Sequence, residues 1–148
     1  MSIKLKMRAV LIVALMLFAK VYSFGQTDPI ECNWFNEEKT AKIQISKGTD
    51  GKFHGKIIWL KEPLRDGKPK IDIHNPKKER RNDPILGLTI LKNFVKQNKG
   101  VYDKGEIYDP KNGKNYSCTI THKGDKLDVH GYVGFSFIGR STIWTKAD

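Results

Sequence analysis

Two stretches, GEIYDPKNGKNY at 105–116 and GYVGFSFIGRSTIW at 131–144, decide the reading of this chain. The first reads as strand, turn, strand. Pro110 pre-sets the backbone for the second position of a β-turn, Asp109 accepts turn hydrogen bonds, and Gly113 supplies a positive φ on the way out. In the second stretch Gly131, Val133 and Phe135 continue an apolar face begun at Leu127 and Val129. The closing strand then puts Arg140, Thr142 and Trp144 on one face. Gly131, Gly134 and Gly139 suit the bends and bulges by which a meander curls and closes.

The period of two extends outward from there. Tyr116, Cys118 and Ile120 alternate with Ser117, Thr119 and Thr121. Upstream, Ala41, Ile43 and Ile45 alternate with Thr40, Lys42 and Gln44, and Phe53, Gly55, Ile57 and Trp59 share a face of the following strand. Hairpins are therefore expected at 47–52, 109–114 and 123–126. Residues 61–84, with Pro63, Pro69, Pro76 and Pro84, are too proline-rich for a central strand and read as a long polar loop of the kind that covers or serves a site. ILGLTILKNFV at 85–95 mixes two periods. Leu86, Leu88 and Ile90 alternate, Leu91, Phe94 and Val95 fit helical spacing, and Gly87 and Thr89 tip the reading to strand. The class is all-β, with seven or eight short strands making a sandwich or a small antiparallel up-and-down barrel.

The amino terminus reads as an address. Lys4, Lys6 and Arg8 precede an apolar core at 9–19, and Ser23 and Gly25 are small residues at the −3 and −1 positions of a cleavage site. The expectation is a signal peptide over 1–25, a single barrel domain over 26–148, and export to the periplasm or cell exterior. The apolar run is shorter than the ~20 residues of a span, so no transmembrane segment is expected after cleavage. Cleavage removes four cations (Lys4, Lys6, Arg8, Lys20) and no acid, lowering the formal charge from +11 to +7. The remaining cations alternate with Glu62, Asp66, Asp72, Glu79 and Asp83, and no recognition helix or aromatic-interleaved basic strand occurs. This describes a solvated surface with weak attraction to anionic envelope surfaces rather than a nucleic-acid-binding protein.

Chemistry-bearing residues are few. Cys32 and Cys118 can form a disulfide in an oxidising compartment, but Cys118 on the apolar face of a strand equally fits a small buried hydrophobe. Asp72 and His74 would point the same way in an extended segment, giving an acid and a base; in a proline-flanked loop Asp72 and Asn75 are more often turn formers. His54, His122 and His130 lack paired metal-ligand spacing, and neither a nucleophile elbow nor a phosphate loop occurs, so no metal or cofactor is expected. Tyr108 and Asp109 can line a rim. Arg140 with Trp34 or Trp144 can form a cation–π clasp where first and last strands meet.

The segments GKIIWLKEPLRDGKP (55–69), DIHNP (72–76), RRNDPILGLTIL (80–91), GEIYDPKNGKNYSC (105–118) and GYVGFSFIGRSTIW (131–144) resemble those of a small exported bacterial family, domain of unknown function 2147. The resemblance implies a lipocalin-like barrel and assigns no activity or catalytic residues. Cys32 stands where the glycine of a Gly-x-Trp signature would precede Trp34.

The leading functional expectation is a barrel binding a small hydrophobic or amphipathic molecule in its mouth, with 61–84 as a partial lid. Asp72, His74, Asn75, Tyr108, Asp109 and Arg140 are the candidate ligand contacts, and the basic residues Lys68, Lys70, Lys77, Lys78, Arg80 and Arg81 favour an anionic head group. The alternatives are an envelope enzyme using Asp72, His74, Asp109 and Arg140, and a structural protein whose barrel is filled by Phe53, Trp59, Tyr116, Phe135 and Phe137.

Overall fold

A computed structural model describes residues 25–147 together with Ile3. The expected signal peptide lies, save Ile3 and Gly25, outside the described residues. Eight antiparallel strands close into a barrel: β1 (Asn33–Phe35), β2 (Ala41–Lys47), β3 (Phe53–Leu60), β6 (Thr89–Lys96), β7 (Val101–Asp109), β8 (Lys114–Lys123), β9 (Lys126–Tyr132) and β10 (Gly139–Ala147). The remaining pair, β4 (Leu64–Arg65) and β5 (Lys68–Pro69), is a small separate hairpin inside the 61–84 loop. Each barrel strand lies beside its sequence neighbour, and β1 pairs with β10 to close the circle. The three predicted hairpin turns fall between β2 and β3, β7 and β8, and β8 and β9.

Two departures from strict alternation explain what the period obscured. Ile43 faces Ile57 while Lys42 faces Trp59, so Ile58 is an extra residue. The bulge turns Trp59 outward, away from the face it was expected to share with Phe53 and Ile57. Its ring meets Phe35 edge-on at 6.0 Å, and Leu60 packs against the core in its place.

The helical spacing within 85–95 has the same origin. Residues 85–88 form a turn, with Leu88 N–H donating to the Ile85 carbonyl, and β6 starts only at Thr89. Within β6 the register shifts between Leu91 and Phe94, where Asn93 has φ +66°. Leu91 and Phe94 both face inward across this bulge, a spacing of three that imitates a helix. The adjacent β7 bulges near Lys104, φ +57°, which puts Tyr102 and Gly105 on the inner side, followed by Ile107, while Tyr108 faces the long loop outside the wall. Gly105 is required there, because a Cβ would lie 2.4 Å from the Phe94 ring.

The turns at 48–52, 97–100 and 124–125 lie at one end of the barrel and the connections 36–40, 61–88, 110–113 and 133–138 at the other. The first end is a sealed base. Ile30, Trp34 and Tyr102 are fully buried, and Phe53 meets Tyr102 edge-on at 5.2 Å. The segment preceding β1 crosses beneath them, as Trp34 Nε1–H donates to the Ile30 carbonyl (2.9 Å) and Tyr102 O–H to the Asp28 carboxylate. Lys96 Nζ lies 2.6 Å from the same carboxylate.

Candidate functional site

The other end opens into a cavity of about 1210 Å³. Its wall is aliphatic because the inward positions of the upper strands carry branched side chains: Ile43 from β2, Ile57 from β3, Ile90 from β6, Ile107 from β7 and Val129 from β9, with Trp144 of β10. Gly131 leaves a gap in this wall, since a Cβ there would find nothing closer than Ile107 at 3.6 Å. The rim is polar, with His74, Asp109, Tyr116 and Arg140 joined by charged residues of the 36–40 turn and the 61–70 segment.

The six candidate residues divide into two groups. Asp72, Asn75 and Tyr108 come together as a buried network: Tyr108 O–H donates to Asp72 at 2.8 Å, and Asn75 Nδ2 donates to the other carboxylate oxygen at 2.8 Å. Asp72 is fully buried. Its backbone N–H donates to the Asp83 carbonyl, and an Ile71–Pro84 bridge closes the same loop. This arrangement ties the long loop to β7. Burial, with the hydrogen bond and charge of Asp72 behind it, pushes the Tyr108 hydroxyl up to about 12, so the phenol stays a donor.

His74, Asp109 and Arg140 lie at the mouth. The expected Asp72–His74 pair does not form. The chain turns at 73–74 instead of staying extended, with Asn75 N–H donating to the Asp72 carbonyl, so Asp72 is sealed inside while His74 is exposed. The His74 carbonyl packs against the β7–β8 turn so closely that a Cβ on Gly113, φ +73°, would lie 1.9 Å from it. Asp109 accepts from Lys111 N–H (2.9 Å) and Asn112 Nδ2 (3.0 Å), as a turn former does.

The clasp of Arg140 with Trp34 or Trp144 is also absent. First and last strands do meet, but Trp34 lies opposite Lys146 while Arg140 sits at the far end of β10. Its guanidinium is exposed and 4.0 Å from Glu37. Trp34 instead bonds the Ile30 carbonyl and meets His122 edge-on at 5.8 Å. The two cysteines are free thiols; Cys118 is fully buried, and burial pushes its thiol up to about 12. Of the residues proposed to fill the barrel, only Phe53 is buried within it. Phe135 and Phe137 are stacked on each other in solvent, 5.5 Å apart.

Part of the long loop's positive charge is engaged within the loop itself. Arg80 pairs with Asp83 at 2.9 Å, Arg81 donates to the Asn75 carbonyl, and Lys70 lies 3.6 Å from Glu62. What the sequence did not flag is the Asp28–Lys96–Tyr102 cluster at the base. Burial opposes ionisation of Asp28, but hydrogen bonds from Lys96, Tyr102 and the Ile30 N–H outweigh it and hold the carboxyl below the usual range. Nothing local in Asp28-Pro29 signals this role, because its partners lie 68 and 74 residues away.

Residues 32–146 match the family described as an uncharacterized protein conserved in bacteria, DUF2147. The chain belongs to that family. Among solved structures, this DUF2147 barrel is similar to protein HP1028 of Helicobacter pylori, described as belonging to the lipocalin family. The TM-score is 0.73 at 20% identity, over 82% of this chain and 85% of that one. At that identity the likeness shows the fold, a lipocalin-like barrel. No match was found among curated proteins.

Proposed function

We propose that this protein is an exported binding protein for a small hydrophobic or amphipathic molecule held in the barrel mouth, acting in the periplasm or outside the cell. The observation that carries this reading is the contrast between a sealed base and an aliphatic cavity of about 1210 Å³ open at the other end. Drug-sized ligands occupy sites of about 300–1,000 Å³ with apolar walls and a few polar groups. Lys61 and Arg65 line the mouth without an ion-pair partner among the described residues, so a carboxylate or phosphate head group would find cations there. The basic leader pattern supports export.

The test is titration of the purified protein with a fluorescent fatty-acid analogue, alongside native mass spectrometry for a co-purifying mass. Gly131→Leu projects a side chain past Ile107 into the cavity and is expected to weaken binding roughly tenfold or more, about 1.4 kcal/mol for each factor of ten. Absence of both binding and a co-purifying mass overturns the reading, as does undiminished binding by Gly131→Leu.

A further inference from the structure

The rim of the mouth carries apolar side chains that nothing in the fold covers. In the β9–β10 connection Phe135 is 68% exposed, Phe137 82% and Ile138 57%, and the run from Val133 to Ile138 contains no charge. Leu64, 52% exposed, projects from the β4–β5 hairpin. Strand order puts these two projections on opposite sides of the same open end, because the β9–β10 and β3–β6 connections are half the barrel apart.

Isolated exposed apolar residues are ordinary, but an uncharged aromatic run in a loop, matched by a second apolar tip at the same end of the barrel, is a contact surface. The charges around it select the partner. Three of the four carboxylates lining the mouth are matched by a cation: Glu37 by Arg140 at 4.0 Å, Glu38 by Lys111 at 3.1 Å and Glu62 by Lys70 at 3.6 Å. In the hairpin bearing Leu64, Arg65 and Lys68 have no ion-pair partner among the described residues and outnumber Asp66. An aromatic tip, faced across the same open end by an aliphatic tip beside unpaired cations, matches an interface whose interior is apolar and whose surface is anionic.

We infer that the barrel docks mouth-first on an anionic lipid bilayer, with the 133–138 loop and Leu64 entering the headgroup region and Arg65 and Lys68 meeting lipid phosphates. Docking leaves the barrel outside the membrane. It is a peripheral contact, and no helix among the described residues is long and apolar enough to cross a bilayer. It stands on the outer rim rather than on the cavity contents, so it is tested without any cavity ligand.

The experiment is co-sedimentation of the chain, as the cell processes it, with vesicles of phosphatidylglycerol and phosphatidylethanolamine, and with vesicles of phosphatidylcholine alone. Binding is expected to the anionic vesicles and to weaken with salt, as screened cation–phosphate attraction must. Because two phenyl groups are withdrawn from the interface, F135S/F137S is expected to lower the partition coefficient about tenfold or more. L64S and R65Q/K68Q test the opposite tip independently of that loop and are each expected to lower it severalfold. All the substituted side chains are exposed, and denaturation midpoints matching wild type certify the fold. No binding to anionic vesicles overturns the inference, as does binding that none of the three variants diminishes. A concentration-dependent dimer that F135S/F137S abolishes, without vesicle binding, overturns it in favour of a second copy as the occupant.

Discussion

The base and the mouth of this barrel are built from the same alternating strands, yet one is a packed core and the other a vessel. At the base, inward aromatics pack on a glycine and on one another: Phe94 lies on Gly105, Phe53 against Tyr102, and the segment before β1 is tied across them by Asp28 and Trp34. At the mouth the inward residues are mostly aliphatic, with Trp144 and Tyr116 among them; the inner glycine at 131 has no ring atom within 4 Å of where its Cβ would lie, and the long loop is tied back to β7 by Asp72 and Tyr108. The half that is filled is the one whose inward rings pack on one another and on a glycine.

The largest test of that contrast is a set of core substitutions read by urea denaturation. Phe94→Ala is expected to cost about 3–5 kcal/mol because it empties the packed half. Gly105→Ala is expected to cost about 1–3 kcal/mol, since its Cβ would overlap the Phe94 ring. Gly131→Ala, with its nearest neighbour at 3.6 Å, is expected to stay within about 0.5 kcal/mol of wild type. Equal costs at Gly105 and Gly131 would break the comparison.

A smaller effect is expected where the loop is tied down. Tyr108→Phe removes the donor that satisfies both Asp72 oxygens and leaves a buried carboxylate served only by Asn75, a loss of about 1–3 kcal/mol. Faster proteolysis within 61–84 should accompany it. A substituted protein as resistant as wild type would show that the loop is held by its other contacts.

The smallest effect is confined to acid. The fold holds the Asp28 carboxyl below its ordinary value of 3.8, so the stability it contributes is complete above that value and is lost as pH falls from 3.8 through the folded pKa. The melting temperature of wild type should therefore fall more steeply below pH 3.8 than that of Asp28→Asn. Parallel curves would remove Asp28 from the account of the base.

Period-two alternation and turn chemistry made the class, the hairpins and most barrel strands legible, because a strand buries alternate residues whatever its partners are. The alternation failed at Trp59 and in 85–95, where bulges at Ile58 and Asn93 inserted an extra residue. A bulge is a property of a strand pair and leaves no certain mark on one strand. The candidate site was half legible. Asp72, Asn75 and Tyr108 do converge, but as a buried tie, since the turn after Asp72 sends it inward and His74 out. Local sequence therefore determined the strands, the turns and the basic leader pattern. Tertiary structure alone decided that Arg140 answers Glu37 rather than a tryptophan, that Asp28 seals the base, and that the mouth stays open. Each of these depends on which side chains closure of the barrel brings together from distant strands, and the strength of a contact is set by distance in space.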